Sequence, residues 1–84
     1  MPIKKVNHIA IAVKDMDEAI SFYRDILRLP YRGTQIVEVA GCKAAFFVCG
    51  DLEIELVQGI KDFAAVNRFI EKRGEGLYLS LIHI

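Results

Sequence analysis

The sequence has no surplus of either charge, because its 11 Lys and Arg residues balance its 11 Asp and Glu residues. Nothing in this balance favours a nucleic acid or an anionic membrane as a partner. The chain also has no apolar run near the roughly 20 residues that a membrane-spanning helix needs. Its start, MPIKKVNH, lacks the apolar core of a signal peptide. A secreted or membrane-spanning protein is therefore not predicted.

Cysteine is scarce, since Cys42 and Cys49 are the only two and have no metal-type spacing. This favours reduced thiols in a cytoplasmic protein, with both side chains as small strand or core residues. Apolar residues, in contrast, make up 54% of the 84 residues. Because a domain this small has a thin core, we expect either very efficient packing or a partner surface that covers part of the chain.

The apolar pattern and the turn signals predict the order strand, helix, three strands, helix, strand. In the first strand, VNHIAIAV, alternation places Ile9 and Ile11 on one face and His8 with Ala10 and Ala12 on the other. The bulky face suits packing against a helix. On the second face, small alanines surround the polar His8, which leaves space that a well-filled core would not contain. This face is therefore expected to be an open cup in which both alanines are exposed.

The first helix is predicted over residues 15–27, because Asp15 can cap it and Glu18 follows three residues later. Pro30 stops it. Three strands follow in YRGTQIVEVA, KAAFFVCG and LEIELVQ, and a second amphipathic helix over residues 61–74 is closed by Gly74. If the Leu and Ile side chains of the last of these strands pack on a helix, Glu55 faces the same side of the sheet as His8.

This βαβββ order, with HIAIAVKDMDEAISFYRDIL at its head and LEIELVQ at its end, resembles the vicinal oxygen chelate superfamily, the glyoxalase/bleomycin-resistance/dioxygenase fold. The stretch FIEKRGEGL is most similar to methylmalonyl-CoA epimerases. The resemblance implies an α+β fold, with a glyoxalase-like module at residues 1–60, a connecting helix and turn at 61–76 and a truncated start of a second module at 77–84. One departure is Arg28, where members often have Gly.

The resemblance further implies that His8 and Glu55 ligate one divalent metal ion, with open positions for water and substrate. Imidazole and carboxylate suit Co, Mn, Ni or Zn. The ion would stabilise an enolate, and Glu38 on the second strand is the matching candidate for the catalytic base. By pattern alone, His8 also fits a hydrogen-bonded core residue and Glu55 a solvated strand residue.

The end of the sequence leaves this site incomplete. A metal site takes at least three protein ligands, and family members complete theirs with a second module or a second subunit, here a homodimer. The resemblance places the next ligand at Leu79, which cannot coordinate a metal. We do not take His83 as its substitute, because residues 79–84 are the translation of CTGTCTCTTATACACATC, a transposon end used as a sequencing-library adapter. These residues are interpreted as read-through.

Three functions stay open at this point. The first is the N-terminal module of a metal-dependent epimerase that forms an enolate beside an acyl-CoA thioester. The second is a glyoxalase I-like lyase acting on a glutathione hemithioacetal, and the third is a metal-free, bleomycin-resistance-like protein that sequesters a ligand. The pair His8 and Glu55 argues against the third, and EKRGEGL favours the first over the second. We expect the full-length parent to be an enzyme and this chain alone to be inactive.

Overall fold

A computed structural model describes the backbone of residues 5–83 and the side chains of residues 8–76. The described elements follow the predicted order. They are β1 (Lys5–Ala12), α1 (Met16–Ser21) with a π-helical continuation (Phe22–Ile26), β2 (Tyr31–Val37), β3 (Cys42–Cys49), β4 (Leu52–Gly59), α2 (Ala65–Arg73) and β5 (Gly76–His83). The α+β class and the βαβββ module are therefore confirmed.

The described strands form one mixed sheet in the order β2-β3-β4-β1-β5. Strands β1 and β4 are parallel, with Ile9 opposite Ile54 and Ile11 opposite Leu56, and all other neighbours are antiparallel. Two parallel strands must be joined by a crossover connection. Here the chain leaves β1, passes through α1 and the β2–β3 hairpin, and then enters β4. The adjacent strands β1 and β4 therefore carry His8 and Glu55 side by side.

The first helix begins as predicted and ends differently. The Asp15 side chain accepts a 3.1 Å hydrogen bond from the backbone N–H of Glu18. The α-helix ends at Ser21 and widens into a π-helical segment that ends at Ile26, so the predicted range of 15–27 covers two kinds of helix. Arg28 follows with a φ of 58°, the left-handed conformation that favours glycine at helix ends. This conformation explains why Gly suits that position.

One side of the sheet packs on α1, and we call it the α1 face. Its buried core consists of Val13, Met16, Ala45, Phe47 and Leu56. The ring of Tyr23 lies 5.6 Å from the ring of Phe47, measured between centroids. The bulky alternating residues of β1 and β4 thus pack against the helix, as their pattern predicted.

The opposite side carries His8, and we call it the His8 face. The prediction that Ala10 and Ala12 lie exposed in an open cup is wrong, because they are only 2% and 0% exposed. They form a second cluster with Val57 on β4 and Val66 on α2. The second helix therefore folds back over this face and closes one end of it.

The second helix begins at Ala65 rather than at residue 61. The residues before it form a turn, in which Lys61 donates a backbone hydrogen bond of 3.0 Å to Gly41 and Ala64 donates one of 3.1 Å to Lys61. Gly74 ends the helix with a φ of 75°, which confirms it as the C-terminal cap. Within the described part of the chain, no helix has the length and apolar character to cross a membrane.

Candidate metal-binding site

The structure brings His8 and Glu55 into direct contact on the His8 face. His8 lies opposite Glu53 in the β1–β4 register, and Glu55 lies opposite Ala10, so the two side chains span one pleat of the sheet. The Nε2 atom of His8 and the Oε1 atom of Glu55 are hydrogen-bond partners, and their side chains are 14% and 20% exposed. Both residues lie on the face opposite α1, as predicted, and their role as metal ligands stays a prediction.

A second carboxylate lies on the other side of the His8 ring. The Nδ1 atom of His8 is 3.4 Å from Oε1 of Glu53, and Oε2 of Glu53 is 3.3 Å from Nη1 of Arg32. The imidazole therefore lies between two carboxylates, one on each ring nitrogen. The sequence analysis gave Glu53 no role. The signal was present, because Glu53 and Glu55 are two residues apart on one strand and so share a face.

The structure does not bring Glu38 to this pair. It was predicted on the second strand, but β2 ends at Val37 and Glu38 lies exposed in the following turn. That turn is closed by a 3.1 Å hydrogen bond from the backbone N–H of Gly41 to the carbonyl of Glu38. Gly41 has a φ of 66°, and this left-handed residue reverses the chain before β3. The strand placement of Glu38 is therefore wrong.

An apolar cavity of about 440 Å³ opens beside Glu55. Besides Glu55 itself, its walls include Ala10, Cys42, Phe63 and Val66. Burial raises the pKa of the Cys42 thiol, and the nearby charge of Glu55 raises it further. Cys42 therefore stays protonated near neutral pH and acts as a small wall residue, while the carboxylate is the polar group at the cavity.

A wider groove of about 650 Å³ lies on the other side of the sheet, along α1. Asp15, Glu18, Asp25 and Glu75 are among its lining residues. Of the described side chains, none of the predicted site residues and no histidine or cysteine lines it. Size alone would favour this groove as a site, but the pairing of an imidazole with a carboxylate lies on the His8 face. We therefore place the candidate site there.

The donors on the His8 face fit part of a metal coordination sphere. A nitrogen of His8 and a carboxylate oxygen of Glu55 lie in direct contact, and this pair of donor types suits a borderline divalent ion. Among the side chains that the structure describes, no group of three or more His, Cys, Asp and Glu residues is arranged to hold a metal. In the backbone register, Leu79 of β5 lies opposite Ala10, and His83 lies opposite Lys5 at the far end. The side chains of Leu79 and His83 lie outside the described ones.

These features define the class of protein. A βαβββ sheet carries an imidazole on its first strand and a carboxylate on its fourth, and both point away from the helix that crosses the sheet. A sequence profile of the Glyoxalase/Bleomycin resistance protein/Dioxygenase superfamily matches residues 7–79. The chain belongs to this superfamily, which confirms the family predicted from its residues.

Two kinds of relative are found within the superfamily. The chain is 34% identical over 76 residues to the uncharacterized protein YqjC of Bacillus subtilis, covering 90% of this chain and 54% of YqjC. It is 32% identical over 77 residues to the mitochondrial methylmalonyl-CoA epimerase of Mus musculus, covering 86% of this chain and 40% of that enzyme. The crystal structure of methylmalonyl-CoA epimerase from Mycobacterium tuberculosis superposes with a TM-score of 0.87 at 26% identity, covering 95% of this chain and 55% of the other.

The chain thus spans about half the length of the proteins it matches, between 40% and 55% of these three. Its sequence is similar to that of the uncharacterized YqjC, and both its sequence and its fold are similar to those of methylmalonyl-CoA epimerases. The superfamily is therefore established, and a particular reaction is a matter for proposal.

Proposed function

We propose that this chain is one module of a metal-dependent epimerase or isomerase that forms an enolate beside an acyl-CoA thioester, in the manner of methylmalonyl-CoA epimerase. The observation that carries the proposal is the direct contact between His8 and Glu55 on the His8 face. Their position beside an apolar cavity of about 440 Å³ supports it further. Similarity to two methylmalonyl-CoA epimerases favours a thioester over the glutathione adduct of a glyoxalase I-like lyase.

In this proposal His8 and Glu55 hold a divalent ion such as Co, Mn, Ni or Zn. When bound, the ion would polarise the thioester carbonyl and stabilise the negative oxygen of the enolate. The apolar walls around Glu55 would exclude water from the carbon that loses its proton. Glu38 remains our candidate for the base, and its turn borders the cavity through Val37 and Val39. That role requires a rotation of the turn, because the Glu38 side chain is exposed.

Two protein ligands are fewer than a stable metal site needs. We propose that a second module, or a second copy of the chain in a homodimer, supplies the remaining ligands. The module boundaries stay as a proposal: residues 1–60 form the first module, 61–76 the connection, and 77 onward the start of the second. Of the residues that precede the read-through, Gly76 and Leu77 lie opposite Ala12 and Ile11, so the connection ends beside the strand that carries His8.

A metal-free protein that sequesters a ligand is the second candidate, because the cavity beside Glu55 is largely apolar. The two hypotheses differ in what His8 does, since only the metalloenzyme needs its nitrogen as a ligand. We also propose a reducing cytoplasmic setting for either function, because Cys42 and Cys49 are both free thiols.

The test restores a complete protein by joining the chain after Gly76 to the second half of mouse methylmalonyl-CoA epimerase. We expect this protein to bind a divalent metal and to exchange the α-proton of methylmalonyl-CoA with deuterium from D₂O. His8→Ala and Glu55→Ala should each abolish both properties. Glu71→Ala removes an exposed carboxylate on α2 and should change neither, so it serves as the control.

Two outcomes would reject the proposal. If either alanine variant kept its metal and its exchange rate, His8 and Glu55 would not be the ligands. If the joined protein bound an acyl-CoA tightly in the presence of a chelator and exchanged no proton, ligand sequestration would be the better account.

A further inference from the structure

We propose that the cavity beside Glu55 binds the uncharged aliphatic part of a substrate's acyl group, and that it accepts chains longer than the methyl branch of methylmalonyl-CoA. The identity of the ligand as an acyl thioester rests on the proposed function. The choice of an uncharged chain rests on the walls of the cavity alone, and it holds both for an enzyme and for a protein that sequesters its ligand.

The floor of the cavity is made of small buried side chains. Ala10 of β1, Val57 of β4 and Val66 of α2 are at most 6% exposed, and they belong to the cluster that joins the sheet to the second helix. About 440 Å³ stays open above them, whereas a methyl group, which is about the size of a water molecule, takes up about 30 Å³. The cavity therefore has room for a chain of several carbon atoms.

The mouth of the cavity is apolar as well. Val39 in the turn after β2 is 95% exposed and Phe63 in the turn before α2 is 66% exposed, and both line the cavity. Exposed apolar side chains around a concave site are typical of surfaces that bind an apolar ligand. A chain that enters between Val39 and Phe63 would cover both and bury apolar surface on protein and ligand alike.

Backbone hydrogen bonds hold these two turns together. The carbonyl of Gly41 accepts hydrogen bonds of 2.8 Å from the N–H of Ile60 and 3.0 Å from the N–H of Lys61. A Cβ atom at Gly41 would lie 2.8 Å from the Phe63 ring, so the ring packs closely on this turn. The mouth is therefore formed before a ligand arrives, which lowers the entropy cost of binding.

The charges at the cavity exclude an anionic group. Among the described residues that line it, Glu55 carries the one charge, and there is no Lys, Arg or His. A carboxylate or phosphate would lose its water here without gaining a cationic partner, and it would lie near the Glu55 carboxylate. The second carboxylate of a malonyl group and the phosphates of CoA therefore belong outside the cavity, which leaves the aliphatic part of the acyl group for it.

The test measures the affinity of the 84-residue chain for neutral thioesters of N-acetylcysteamine in the presence of EDTA. The acyl group is lengthened from acetyl through butanoyl to hexanoyl, and the NMR shift of the Ala10 methyl group reports binding in the cavity. Each added CH₂ group should tighten binding roughly fourfold. The adipoyl thioester has the length of hexanoyl but ends in a carboxylate, and it should bind roughly tenfold more weakly or worse.

Variants at exposed positions locate the bound chain. Ala65→Phe adds a ring to a residue that lines the cavity, and it should remove the gain in affinity from acetyl to hexanoyl. Arg68→Phe adds the same ring further along α2, at a residue that does not line the cavity, so it is the matched control. Phe63→Ala removes part of the mouth, and it should weaken binding of the hexanoyl thioester more than that of the acetyl thioester.

Equal affinities for the acetyl and hexanoyl thioesters, or for the hexanoyl and adipoyl thioesters, would overturn the inference. So would a gain with chain length that survives Ala65→Phe. The proposed function fails or holds separately. If the thioester series behaves as expected but the joined protein exchanges no α-proton, the ligand class of the cavity stands without the reaction. If the joined protein exchanges the α-proton but affinity is independent of chain length, the reaction stands and the aliphatic site fails.

Discussion

The two faces of the sheet carry different kinds of side chain. The α1 face buries Phe47, Met16 and Leu56, which are the largest fully buried side chains of the described residues. The His8 face has small residues at its centre, Ala10 and Ala12, and an imidazole between two carboxylates. The comparison teaches that the large buried side chains lie on the α1 face, whereas the His8 face combines small buried residues with polar side chains beside a cavity.

The contact between Arg32 and Glu53 at the edge of the candidate site contributes little to stability by comparison. Arg32 is 62% exposed and Glu53 31% exposed, so water screens much of their attraction. Burial of a large apolar side chain, in contrast, stabilises a fold by about 1.5–3 kcal/mol. Substitutions on the two faces should therefore separate stability from function.

The largest effect is expected on the α1 face. Phe47→Ala should lower the free energy of unfolding by about 3–5 kcal/mol, because it leaves a cavity where a fully buried ring packed against Tyr23 and Tyr31. Urea denaturation measures the loss. Ile26→Ala, at a residue on the same side that is 69% exposed, should cost much less. Equal losses in the two variants would mean that the α1 face is not the main core.

A smaller loss is expected where α2 closes the His8 face. Gly41 and Gly50 both have left-handed backbones, with φ of 66° and 62°. A Cβ atom at Gly41 would lie 2.8 Å from Cβ of Lys61 and 2.8 Å from the ring of Phe63, whereas one at Gly50 would meet no atom within 4 Å. Gly50→Ala should therefore cost about 1 kcal/mol from the backbone alone.

Gly41→Ala should lower the free energy of unfolding by the same backbone strain and by about 1–3 kcal/mol more, because the added Cβ atom would clash with Lys61 and Phe63. The difference between the two variants, measured by thermal and urea unfolding, isolates the packing of the turn before α2 against the β2–β3 turn. If the two alanine variants lost equal stability, the closure of the His8 face by that turn would be looser than described.

A gain in stability is expected at the end of the first helical segment. Arg28→Gly should raise the free energy of unfolding by about 1 kcal/mol, because Arg28 has a φ of 58° that glycine adopts without strain. Arg68→Gly, within the exposed side of α2, should instead lower it by about 1 kcal/mol. The same substitution thus has opposite signs at the two positions. A loss at both would show that Arg28 makes contacts worth more than its backbone strain.

The sequence predicted the order of elements and the face of the sheet that carries His8 and Glu55. Both follow from local patterns, because strict alternation assigns His8 and Glu55 to faces without any knowledge of the neighbouring strands. The capping roles of Asp15 and Gly74 were predicted for the same reason, since caps depend on residues a few positions away.

What could not be predicted depends on contacts between distant residues. The burial of Ala10 and Ala12 requires α2 to fold back over β1, and nothing local in the first strand indicates this. Glu38 was placed in a strand because the apolar alternation continues through Val39, whereas the left-handed Gly41 ends the strand earlier. The approach of Glu53 to His8 depends on the parallel register, which the sequence of either strand leaves open.

The most direct test of the two-face account uses Mn²⁺ as a paramagnetic probe of the chain in solution. Relaxation of side-chain NMR signals by the ion falls steeply with distance, so the methyl group of Ala10 should broaden well before that of Met16. His8→Ala and Glu55→Ala should each remove the broadening at Ala10, and Glu71→Ala should leave it. Broadening that centred on Met16 and the acidic groove along α1, or that persisted at Ala10 in both site variants, would contradict the placement of a metal site on the His8 face.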